Sequence, residues 1–172
     1  GKGGKRPLPK EVSQIVCGLD VPEDVIGDDE LSWSLNVGDF NFTMLDDHER
    51  NKSMAFARLL GYLLTDGTVH DTGSEIRSYL ALGHLLDCEM VLNDIELLTG
   101  LKPKICDRDE EAYIIWFPSK LSKAFAATPG VQIGRRVEQE PSYWPHFLYA
   151  APKAVLREFV GGLFGGDGHA PY

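Results

Sequence analysis

Leu59–Gly67 reads LLGYLLTDG and Val160–Gly168 reads VGGLFGGDG, one nine-residue pattern ending in Asp-Gly that occurs twice, 101 positions apart. The second copy places Gly161, Gly162, Gly165 and Gly166 in an otherwise helical segment. Each Gly there costs about 1 kcal/mol relative to Ala, roughly 4 kcal/mol together, so the pattern needs a structural reason. Small residues four apart let two helix backbones approach closely. The pairs Gly61/Thr65 and Gly162/Gly166 occupy matching places in the two copies, which predicts two helices packed face to face. If both run in the same direction, Asp66 and Asp167 arrive together at the helix ends. Two carboxylates side by side repel unless a cation lies between them, and hard oxygen ligands favour Mg²⁺. Such an ion can activate water and stabilise a leaving oxygen in phosphodiester hydrolysis.

Outward from the first copy, DDHER supplies candidate N-caps, and Met54, Ala55, Leu59, Leu60, Leu63 and Leu64 recur at helical spacing up to Gly67. A turn at HDTGS, a strand-like EIRSYLAL and a second helix from about His84 to Leu98 follow, closed by Thr99-Gly100. Leu85, Leu86, Met90, Ile95 and Leu98 read as the core-facing stripe of that helix. KPKICDRDEEAYIIWF reads as a hairpin and Lys120 to Ala127 as a short helix stopped by Pro129-Gly130. From residue 52 the expected order is therefore helix, strand, strand, helix, strand, strand, helix. A last helix starts near Pro152, a favoured first-turn proline, and carries the second copy.

Motifs and element order together resemble the LAGLIDADG homing endonucleases, most closely the intein-associated branch. The resemblance covers about residues 52 to 172. It implies an α+β fold with an αββαββα saddle whose second repeat stops after its first helix. The units it implies are a peripheral segment (1–50), a first repeat (51–130), a connector (131–151) and the helix of a second repeat (152–172). It further implies a site-specific, metal-dependent double-strand DNA endonuclease, a nuclease and hydrolase of the homing kind. Asp66 and Asp167 would be its catalytic residues, and these with Gly67 and Gly168 would hold Mg²⁺ or Mn²⁺. Gly61, Thr65, Gly162 and Gly166 would form the helix interface, and Arg77, Lys104 and Arg108 would touch DNA. The implied partners are double-stranded DNA and a missing second half or a larger assembly. The alternative is a catalytically inactive DNA- or RNA-binding module of the same fold, like a transcription regulator or maturase. Residue 1 is Gly rather than a Cys or Ser nucleophile, and no His-Asn ends the sequence, so no splicing domain is expected within this stretch.

Bulk properties bound these readings. With 43% apolar and 25% charged residues the chain can bury a core. Cys17, Cys88 and Cys106 form no CxxC pair, which fits a reducing, intracellular setting rather than a disulfide framework. The longest nearly apolar run, Met54 to Leu64, contains Arg58 and falls short of the roughly 20 residues needed to cross a bilayer. A net charge of −9 works against phosphate binding, although residues 1 to 51 hold eleven of the 26 acids and only five of the 17 Lys and Arg. VGGLFGGDG lacks the Lys-Ser/Thr of a phosphate-binding P-loop. Tyr113, Trp116 and the aromatics of 143–149 are more economically core residues than base-stacking ones.

Overall fold

The computed structural model describes residues 31–108, 112–134 and 144–167. Strands β1 (Ser34–Val37) and β2 (Phe40–Thr43) form a hairpin; helix α1 (Asp47–Asp66) follows. Then come β3 (Gly67–Asp71), β4 (Ile76–Leu82), α2 (Leu85–Thr99), β5 (Ile105–Arg108), β6 (Ala112–Trp116), α3 (Ser119–Ala127), a 3-10 turn (His146–Ala150) and α4 (Lys153–Asp167). From α1 to α3 the order is αββαββα, in an α+β architecture. Gly168 and His169 lie outside the described residues, as do Tyr143 and most of segment 1–50.

Local chemistry accounts for the ends of the elements. The Asp46 carboxylate accepts from the Glu49 backbone N–H at 2.9 Å, satisfying one of the free donors at the start of α1. Gly100 takes φ +72° beyond α2, a left-handed conformation that a Cβ would strain, and its N–H donates to the Glu96 carbonyl.

All pairings of the four-stranded sheet are antiparallel, in the order β3-β4-β6-β5. Strand alternation sends Val69, Ser78, Leu80, Leu82 and Ile115 inward. They meet Phe56, Leu59, Leu60 and Leu63 of α1, Val91 and Ile95 of α2, and Leu121 and Phe125 of α3. Ser78 and Ser122, both fully buried, satisfy one another across β4 and α3 at 2.8 Å.

Two expectations are revised. Residues 34–44 are part of the core, not a peripheral appendage: Leu35, Val37, Phe40, Phe42 and Met44 are buried, and Phe42 stacks on Phe56 at 4.5 Å. In α2, Ile95 and Leu98 are buried with Cys88 and Val91, but Leu85, Leu86 and Met90 are exposed. Helical periodicity fixes which residues share a face, not which of two apolar faces meets the sheet.

Candidate nucleic-acid interface

The two motif helices, α1 and α4, pack on each other more extensively than any other pair of described elements. Arg58 meets Glu158, Gly61 meets Phe159 and Leu163, and Tyr62 meets Gly165. Contact positions rise together along both helices, so they run in the same direction and end side by side. A Cβ at Gly61 would lie 2.6 Å from the Leu163 nitrogen, and one at Gly162 would collide with the Arg58 carbonyl oxygen. At Gly165 a Cβ would sit 2.7 Å from the Tyr62 hydroxyl. The Thr65 hydroxyl donates within its own helix, to the Tyr62 carbonyl at 3.1 Å. Gly166 occupies the last turn of α4.

Asp66 and Asp167 are the last residues of α1 and α4, at the same end of the pair. Gly67 opens β3 directly, with φ −116°, so no left-handed turn calls for glycine there. What calls for it is space: a Cβ would lie 2.6 Å from Leu63 Cδ1 and 2.8 Å from Leu80 Cδ2. Among the described residues no group of three or more His, Cys, Asp or Glu is placed to hold a metal ion.

Three helices are tied together by a charged group that no sequence motif marks. Arg58 of α1 donates through Nε and Nη2 to both carboxylate oxygens of Asp94 in α2, at 2.7 and 2.9 Å, and through Nη1 to Glu158 of α4. Its guanidinium is raised above its ordinary value, chiefly by the hydrogen bond to Asp94, against the opposing effect of burial. The signal available was a lone Arg in an apolar helical run.

The other face of the sheet carries no covering element among the described residues. By register it carries Thr68 and His70 from β3, Arg77, Tyr79 and Ala81 from β4, Trp116 and the buried Ile114 from β6, and Cys106 from β5. His70 stacks on Tyr79 at 5.9 Å, and Tyr79 meets Trp116 at 4.9 Å, forming an aromatic row across three strands. Trp116 is 44% exposed, so it is not the core residue the sequence suggested. Arg77 is exposed beside it and donates through Nε to Glu75 at 2.7 Å. Lys104 is exposed just ahead of β5, and Arg108 closes β5 opposite Ala112. An antiparallel sheet with one face on a core and one open face of donors and rings can meet base edges and phosphates. Tyr113 instead sits opposite Leu82 and packs against the core.

No family model matches the chain. A replication factor C small subunit of Methanocaldococcus jannaschii is 29% identical over 136 residues, covering 73% of this chain. The chain spans about 7% of the length of that curated relative. This similarity corrects the expected function. The relative is named for a replication factor, not a nuclease, so the reading of an intein-associated homing endonuclease and hydrolase is withdrawn, and with it the catalytic role given to Asp66 and Asp167. The physical reason is that the motif has a sufficient structural cause. Gly61 and Gly162 are required by backbone contact between helices, Gly165 by the Tyr62 ring and Gly67 by packing on Leu63 and Leu80, without any chemistry at the aspartates. No helix of the described residues is long and apolar enough to cross a membrane.

Proposed function

We propose that this chain is a double-stranded-DNA-binding module of a LAGLIDADG-like saddle form, acting within a larger intracellular DNA-associated assembly. The observation that carries the reading is the open sheet face, where Arg77, His70, Tyr79 and Trp116 stand together on adjacent strands. In the proposed role, an antiparallel sheet enters a duplex groove with side chains directed at base edges, while Lys and Arg at its margins meet phosphate. The relative's name places that much longer protein in replication, which suits a DNA-facing role.

A second sheet-bearing unit covers α4 in this reading. The motif equates Leu59 and Leu63 of α1 with Val160 and Phe164 of α4. The first pair is buried at 0% and 1% under this chain's own sheet, whereas Val160 is 39% and Phe164 66% exposed. Mg²⁺ or Mn²⁺ belongs to the same proposal. Asp66 and Asp167, with the adjoining Gly67 and Gly168 carbonyls, would hold it at the shared helix end, where it offsets repulsion between carboxylates. Its readout is thermal: Mg²⁺ raises Tm in the wild type and does so less in Asp66→Asn.

The test of the module is binding to a random-sequence duplex pool at low salt. With Arg77, Lys104 and Arg108 as the cations of this face, log K should fall against log salt with a slope of roughly −2 to −3, and Arg77→Ala should make it shallower by about 1. Absence of any salt-dependent retention would remove the reading.

A further inference from the structure

A groove of about 260 Å³ opens where β4 begins and β6 ends, lined by Glu75, Ile76, Arg77, Trp116, Phe117 and Ser119. Its walls differ in chemistry. Ile76 and Phe117 belong to the core side and give it an apolar floor. Trp116 contributes an indole held from behind by Tyr79 at 4.9 Å. Arg77 is fixed by Glu75, but both contacts, from Nε and Nη2, go to the same carboxylate oxygen, Oε1. The guanidinium's Nη1 has no partner among the described residues, and its two N–H donors remain available.

We propose that this groove holds one unpaired nucleobase of a DNA strand, stacked on Trp116 and hydrogen-bonded by Arg77, so that the sheet face prefers duplexes with a displaced base over perfectly paired ones. The inference rests on the DNA-binding reading and adds a subsite to it. The volume favours it: whole small ligands occupy pockets of roughly 300–1,000 Å³, and a smaller, half-open groove suits a single planar group entered edge-on. The chemistry favours it as well. Every base has a π-face for the indole, and guanine offers two adjacent acceptors, O6 and N7, to a guanidinium. A base still paired in a duplex cannot reach the groove floor without leaving its stack. An unpaired one has already lost that stacking and pairing, and enters at less cost.

The experiment compares three labelled probes with the full chain by fluorescence anisotropy: a paired duplex, the same duplex carrying one unpaired guanine, and its single strand. The unpaired-guanine duplex should bind about tenfold tighter than the paired one, a ratio typical of one stacked base. Trp116→Ala should bring that ratio close to one, and Trp116→Phe should restore much of it. A melting curve for each variant shows that it is folded. A wild-type ratio near one overturns the subsite, as does a ratio that Trp116→Ala leaves intact. The paired duplex reports separately on the module: if it binds without preference only the subsite fails, and if no probe binds both do.

Discussion

A Cβ on Gly161 would meet nothing within 4 Å, whereas one on Gly162 would run into the Arg58 backbone. Gly161→Ala should therefore stabilise α4 by about 0.5–1 kcal/mol through helix propensity. Gly162→Ala should cost about 1–3 kcal/mol in spite of the same gain, because helix backbones cannot separate without losing their contacts. Chemical denaturation of the two variants, one position apart, reads the difference directly. Arg58 offers a second check at this scale. Its side chain is 26% and that of Asp94 10% exposed, so removing the guanidinium with Arg58→Ala should cost about 2–4 kcal/mol, somewhat below a fully buried pair. Tyr62 gives the pH dependence. Burial first, then Asp87, raises its pKa above the usual range near 10. A phenol that holds its proton more tightly when folded gives stability that is complete below the unfolded pKa and is lost as pH rises through the folded one. Tyr62→Phe should flatten the alkaline loss of stability measured by denaturant titration above pH 10. Gly61 and Gly162 were legible in the sequence because backbone approach leaves no alternative to small residues, whereas Gly165, which meets the Tyr62 ring, was not among the expected interface residues. The Arg58–Asp94–Glu158 link was not, since its partners lie 36 and 100 positions away.

Helix α1 is covered on both sides, by the sheet and by α4, while α4 packs chiefly on α1, with Trp144 set against Phe159. That asymmetry sets the response to truncation. Leu59→Ala should cost about 2–5 kcal/mol, and Val160→Ala at the equivalent place no more than about 0.5 kcal/mol in this chain by itself. Thermal melts of both variants test it, and equal costs would mean that α4 is covered after all. The order of elements could be read from residue 52 onward because each has its own period and stop: Asp46 offers a cap for α1, Gly100 ends α2 and Pro129-Gly130 follow α3. The direction of α2 toward the sheet could not, since Leu86 and Met90 make as good an apolar stripe as Val91 and Ile95. Nor could the place of the β1-β2 hairpin. Alternation announced strands, but only the stacking of Phe42 and Phe125 on either side of Phe56 shows what they cover.

Among the described residues, the helices and the β1-β2 hairpin occupy one side of the four-stranded sheet and no element covers the other, which the proposed role gives to DNA. The −9 net charge limits how tightly such a polyanion can be held by long-range attraction. Under the proposed DNA-binding role, contacts to base edges from the open face would then carry a larger share of the affinity. The motif alone pointed to a nuclease because paired aspartates at helix ends suit metal chemistry; it carries no information on what the open face touches. The measurement that tests the DNA-facing account most directly is an amide NMR titration of the chain with a short duplex. The account predicts shifts confined to β3, β4, β6 and β5, centred on His70, Arg77, Tyr79 and Trp116, with α2 silent. Shifts clustered on the exposed Leu86–Met90 stripe, or none at millimolar duplex, would contradict it.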